Sequence, residues 1–267
     1  MNVQIRRWGQ GVGFYLFVSA FCILTVSPAA LFAGSVKCWG DNTYGQLNNI
    51  PLGNNFKAIA AGGFHSLALK SDGSIAGWGY NSDGQATPPA GNNFIAVAAG
   101  GLHSLALESN GTIAGWGNNS DGQATPPAGN NFLAIAAGYY HSLALKSDGS
   151  IVGWGENTYG ECNVPAGNNF SAIAAGELHS LALKSDGSIV GWGYNYYGEC
   201  NVPAGNNFIA ISAGRGYHSL ALCVCPFSLA GDLNNDCRID LTDFAILAGN
   251  WLVDCYADPN NPACVHK

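Results

Sequence analysis

The residues best suited to chemistry stand near the C-terminus. In "GDLNNDCRIDLTDFAILAGNWL", Asp232, Asn234, Asp236, Arg238, Asp240 and Asp243 occupy positions 1, 3, 5, 7, 9 and 12 of one loop. Carboxylate and amide oxygens at that spacing can wrap a hard cation, with Arg238 serving through its main-chain carbonyl. Calcium, which takes six to eight oxygens in a flexible shell, is the cofactor they predict. Leu241, Phe244, Ala245, Ala248, Trp251 and Leu252 follow at helical spacing and predict an amphipathic helix beside the loop. An acidic loop that merely caps this helix is the competing reading, and the full ligand register favours the metal.

A second set of reactive residues repeats. His65, His103, His141, His179 and His218 follow one another at three steps of 38 residues and one of 39. Catalysis seldom needs five equivalents of one group, so the histidines predict a structural imidazole bonded to a neighbouring loop. Trp39, Trp78, Trp116, Trp154 and Trp192 recur in the same way and predict core positions. Neither HExxH, nor GxSxG, nor a phosphate-cradling glycine loop occurs. The chain therefore reads as a non-enzyme, with an enzyme of unrecognised site as an alternative.

The elements that carry these residues come from the repeat itself. One unit predicts four short strands: "NNFKAIAAG", "HSLALKS", "SIAGWG" and a short edge strand in "GQATPP" or "GECNVP". Asp72-Gly73, Asn110-Gly111, Asp148-Gly149 and Asp186-Gly187 predict two-residue hairpins with positive φ at both turn positions. The prolines end the last strand, and the small residues of the first suit a crowded axis. The array starts on "SVKCWG" and ends on "FIAISAGRGYHSLALCVC", two fragments that complete one unit. Complementary ends predict an all-β, five-bladed β-propeller closed by pairing of its terminal strands.

The pattern G-x-x-H-S-L-A-L, D-G-S-I, G-W-G resembles the regulator of chromosome condensation repeat in a short form, over roughly Ser35 to Val224. That resemblance implies a propeller of interaction-module type, although the best-known members have seven blades. It also brings guanine nucleotide exchange, known for one branch, which an exported chain would not meet a partner for. The calcium loop, with Asp rather than Glu at its last position, is similar to a type I dockerin loop. Dockerins carry two such loops and this chain shows one, with Cys237 where glycine is usual, so the similarity supports calcium binding better than docking.

Residues 1–33 read as a secretory leader, with Arg6 and Arg7 before the apolar run Gly11 to Val26 and a cut after Ala33, against the weaker reading of a membrane anchor. The predicted domains are 1–33, the propeller at 34–225 and the calcium module at 226–267. Without the leader, eight Lys and Arg face 17 Asp and Glu, a balance that repels phosphate backbones and excludes nucleic acid as a partner. No membrane span is predicted in the mature chain, which is placed outside the cell or at its envelope.

Cys38, Cys162, Cys200, Cys223, Cys225, Cys237, Cys255 and Cys264 remain, an even number that predicts disulfides in an exported chain. Cys38 and Cys223 could lock ring closure, Cys237 and Cys255 could staple the helix with Cys264 tying down the tail, and the pairing of Cys162 and Cys200 stays open.

Alternating strands place the first and third connections of every unit on one rim. That rim varies between units while the opposite rim repeats "KSDGS" and "PAGNN". Tyr44, Tyr80, Tyr139, Tyr140, Tyr159, Tyr194, Tyr196, Tyr197 and Tyr217 fall on it and predict a ligand face. A protein partner is the first expectation, and a glycan, which would make this a lectin-like propeller, the alternative.

Overall fold

The computed structural model describes residues 34–224. The expected leader and the expected calcium loop, Asp232 to Asp243, lie outside the described residues. Fourteen strands follow in triplets: β1 (Phe56–Ala61), β2 (His65–Lys70), β3 (Ile75–Gly79); β4 (Phe94–Ala99), β5 (His103–Glu108), β6 (Ile113–Gly117); β7 (Phe132–Ala137), β8 (His141–Lys146), β9 (Ile151–Gly155); β10 (Phe170–Ala175), β11 (His179–Lys184), β12 (Ile189–Gly193); and the pair β13 (Phe208–Ala213), β14 (Ser219–Cys223). Each triplet is one antiparallel sheet in chain order, and β13–β14 forms a two-stranded sheet.

The middle strands explain the repeat. Leu67 and Leu69 alternate with Ser66 and Ala68, yet Ala68 is as fully buried as the two leucines. Both faces are covered because the sheets stack, β2 on β4, β5 on β7, β8 on β10 and β11 on β13. Leucines of one repeat meet Phe94, Val97 and Ala106 of the next. Each such leucine contributes about 1.5–3 kcal/mol by leaving water. The first strands, rich in alanine and glycine, surround a central cavity of about 230 Å³ lined by Ala60–Gly63, Ala98–Gly101, Ala136–Tyr139, Ala174–Glu177 and Ala213–Arg215. Small side chains there let five strand backbones approach one axis.

Five expectations change. The hairpins are three-residue loops: Lys70 N bonds Ser74 O at 2.8 Å and Gly73 N bonds Lys70 O at 3.0 Å. Only the glycine takes positive φ, +85° at Gly73, while Asp72 stays in the ordinary region and accepts from Ser74 N and Oγ. The expected fourth strand is a stack of turns. Gly84 has φ +81°, Thr87 N returns to Gly84 O at 2.9 Å and Asn81 Oδ1 takes Ala86 N at 2.8 Å, so the backbone bends locally and cannot form a ladder.

The entry segment meets β1 through Gly34 and Phe56, as Gly73 meets Phe94 in the next repeat, while β13–β14 stays a two-stranded sheet. Val36 and Cys38 pack on Phe56, Ala68 and Trp78, a local apolar contact that holds the segment on the first repeat. Trp39, expected in the core, is 85% exposed. Finally, Cys38, Cys162 and Cys200 carry free thiols, so the Cys38–Cys223 bond expected to lock closure is not made. Cys162 Sγ donates to Glu156 O at 3.2 Å and Cys200 Sγ to Tyr194 O at 3.3 Å, each within its own loop.

Candidate functional site

Four of the five histidines join one repeat to the next, whereas His218 is exposed and its Nδ1 lies 3.4 Å from Gly216 O of its own loop. His65 Nε2 lies 2.8 Å from Ser104 Oγ, His103 Nε2 2.9 Å from Ser142, His141 Nε2 2.9 Å from Ser180 and His179 Nε2 3.0 Å from Ser219. The serine donates its one hydrogen to a carbonyl, Ser104 to Gln85 O at 2.9 Å and Ser142 to Gln123 O at 2.9 Å. It must then accept from the ring, which fixes the proton on Nε2 and leaves Nδ1 bare. Nδ1 of His65, His103 and His179 is buried without a partner among the described residues. Burial lowers the pKa to about 4 at His65 and about 3 at His103 and His141, so the imidazoles are neutral struts.

The tryptophans use the same acceptors. Trp78 Nε1 donates to Gln46 O at 2.8 Å, Trp116 to Gln85 O at 2.9 Å, Trp154 to Gln123 O at 2.9 Å and Trp192 to Glu161 O at 2.7 Å.

This frame carries the variable loops. Tyr80 N bonds Phe64 O, Asn118 N bonds Leu102 O, Glu156 N bonds Tyr140 O and Tyr194 N bonds Leu178 O. The first and third connections of each repeat therefore share one rim, and all nine tyrosines stand in its loops.

The tyrosines gather in groups. Tyr44 meets Phe64 at 4.7 Å and Tyr80 at 5.4 Å. Tyr139 meets Tyr140 at 4.3 Å. Tyr194 meets Tyr159 at 4.9 Å and Tyr217 at 5.9 Å, and Tyr197 meets Tyr196 at 4.9 Å and Tyr217 at 5.4 Å. Tyr217 has φ +57°, a conformation β-rich loops seldom give a bulky residue, at the place where the repeat gains its extra residue. Tyr196 and Tyr197 are the most open of the set, 78% and 66% exposed.

The ligand face expected from the sequence holds tyrosines only, whereas Phe64 and Arg215, in loops of the same variable rim, belong to it as well. The Arg215 guanidinium lies 4.7 Å from the Phe64 ring centre and 4.6 Å from that of Tyr139, and it donates to Gly63 O at 3.3 Å. The one 39-residue step in the histidine series marked that loop. Glu161 was missed too, although the change from Gln at positions 85 and 123 to Glu at 161 is visible in the sequence. Glu161 Oε2 accepts from Tyr159 N at 2.9 Å, while its buried Oε1 has no partner among the described residues. Burial raises its pKa, as does the nearby Glu156 carboxylate.

Among the described residues no three His, Cys, Asp or Glu side chains gather as a metal site, and no helix is long and apolar enough to cross a membrane.

The profile of the "Regulator of chromosome condensation (RCC1) repeat" matches residues 56–85, 94–123, 132–161 and 170–199. The chain is 34% identical over 97 residues to the human protein named "Probable E3 ubiquitin-protein ligase HERC4", covering 31% of this chain and 9% of that one. The chain thus spans under a tenth of the length of that curated relative. Among solved structures, Prp20p of Saccharomyces cerevisiae superimposes with a TM-score of 0.59 at 22% identity, over 72% of this chain and 66% of that one. The ectodomain of the Physcomitrella patens receptor kinase CR4 does so with a TM-score of 0.57 at 28% identity, over 68% and 52%. Four matched repeats, all-β sheets stacked in sequence and these neighbours support an RCC1-like β-propeller fold for the described residues.

Proposed function

We propose that the chain is an exported, non-enzymatic binding protein that takes a protein partner on its tyrosine-bearing rim and carries a calcium-binding attachment module at its C-terminal end. One observation carries this reading: nine tyrosines stand on the rim whose loops vary, while the other rim repeats its turns. Tyrosine presents large amphipathic contact area with two side-chain torsions to freeze, a property of recognition surfaces. Proteins are also what the yeast neighbour is described with, Kap60 in one structure and Gsp1p and histones in another. Export rests on the apolar run at Gly11 to Val26, and calcium on the ligand register at Asp232 to Asp243.

The reading includes a ring completed by Ser35–Gly40 on β14. Five main-chain acceptors, Gln46, Gln85, Gln123, Glu161 and Glu199, stand at equivalent positions, and four tryptophans fill the first four. Glu199 O holds Ser219 Oγ at 2.8 Å, as Gln85 O holds Ser104, and Trp39 is the remaining tryptophan of the series. A groove beside Glu199, lined by Leu181, Ile189, Val202, Phe208 and Leu220, is the place such a strand would cover.

Affinity capture from native envelope and culture fractions, with calcium and with chelator, tests the assignment. A partner retained by the native chain and lost with Tyr159→Ala/Tyr197→Ala supports the rim. Loss only under chelation would assign partner binding to the tail instead. Selective binding to a glycan array, abolished by the same substitutions, would replace the protein partner with a sugar.

A further inference from the structure

The rim also defines a chemistry for what it binds, an inference that rests on the rim reading above. Its loops carry Asp41, Asp83, Asp121, Glu156 and Glu177, whereas every described lysine lies elsewhere. Among the described residues the one rim cation, Arg215, is already held between Phe64 and Tyr139. The molecule thereby shows that its own rim aromatics accept a guanidinium, a contact favoured by the negative ring face.

Two buried carboxylate oxygens of these loops, Glu161 Oε1 and Glu199 Oε1, lack a donor among the described residues, and only Glu161 stands in a repeat whose paired position is also a carboxylate. In the repeat containing Gln123, the amide Nε2 donates to Asn118 Oδ1 at 2.9 Å, and at the equivalent pair Gln46 Nε2 faces Asp41 Oδ2 at 3.4 Å. The next repeat places Glu156 and Glu161 at these two positions, so the amide donor is replaced by a second acceptor. Glu161 is fully buried and its Oε1 is unpartnered, while Oε2 still closes the turn on Tyr159 N. Glu156 Oε1 accepts from Thr158 Oγ1 at 3.2 Å, which leaves Glu161 Oε1 as the acceptor open to a visiting donor. Beside them Tyr159 packs edge-on against Tyr194, and Tyr194 continues to Tyr217, whose hydroxyl is 3.4 Å from Glu177.

We propose that this loop receives a lysine or arginine side chain of the protein partner, with Glu156 and Glu161 as its acceptors and Tyr159 and Tyr194 as its aromatic neighbours. A cationic side chain supplies several donors at once, and charge-assisted bonds in a shielded site are the strong ones. The excess of carboxylates on the rim draws such a segment toward it.

The test is a titration of the mature chain with acetyl-Gly-Arg-Gly amide, followed by NMR of the tyrosine rings, beside the citrulline peptide of the same shape. Saturable binding of the arginine peptide with shifts at Tyr159 and Tyr194, about tenfold or more tighter than citrulline, supports the site. Glu156→Gln/Glu161→Gln restores an amide like that of Gln123, keeps the turn acceptor and should weaken binding about tenfold or more at unchanged Tm. Asp186→Asn, in a hairpin of the opposite rim where the amide oxygen still accepts from Ser188, should leave it unaltered. Equal binding of the two peptides, no saturable binding of either, or an indifferent double variant overturns the inference. A partner captured through the tyrosines but retained by the double variant would overturn it and leave the rim reading intact. Arginine binding at this loop, with no partner dependent on the rim, would do the reverse.

Discussion

At the scale of single residues, the histidines couple stability to pH. A folded-state pKa near 3 or 4 against an ordinary value of 6.5 means that the native state binds fewer protons than the unfolded one. The contribution is fully present above pH 6.5 and is lost as pH falls toward those lower values. Each such histidine should cost about 1.4 kcal/mol per pH unit across that window. Urea titrations between pH 7 and 4.5 should therefore show steep acid destabilisation. His141→Gln should lower stability at pH 7 by about 1–3 kcal/mol and make the acid slope shallower by one proton, because it removes both a buried bond and a group that titrates in the unfolded chain. An unchanged slope would contradict the neutral-strut assignment.

Elements show where the sequence was legible. The 38-residue period, the Leu and Ala alternation and the glycine-bearing turns announced stacked antiparallel sheets, and the middle strands lie where the repeat placed them. The histidines were readable as structural because repetition argues against chemistry. What escaped was local. The segment at Gln85 has strand-like composition, but the hydrogen-bonding of Asn81 and the positive φ of Gly84 turn it back on itself, and neither depends on hydrophobic pattern. The Arg215 contacts escaped because they join residues 152 positions apart.

Of the rim, the tyrosine positions were readable from loop variation, and the change to Glu at 161 was visible too, whereas its burial and its unpartnered Oε1 emerge only from the turn geometry. Close packing between elements also has a test. A Cβ at Gly115 would lie 2.4 Å from Ala124 O, so Gly115→Ala must push main chain apart and should lower stability by about 1–3 kcal/mol, read as a fall in Tm. Gly34→Ala, where nothing lies within 4 Å, is the control.

At the scale of the whole molecule, load-carrying joints and variable surface are kept apart. Histidine, serine and tryptophan interlock inside the stack, and the loops that differ from repeat to repeat project from one rim with Asp41, Asp83, Asp121, Glu156 and Glu177. The joints also share a property that reaches past this chain. Tryptophan and serine anchor on a main-chain oxygen, which every amino acid offers alike, so the anchoring position holds Gln in some repeats and Glu in others without loss of the contact. Mutation can therefore rewrite what each loop displays while the fastening stays blind to the change, and a duplicated unit arrives with its fittings already compatible. Such a scaffold acquires new specificities one loop at a time, in natural lineages or in a randomised library.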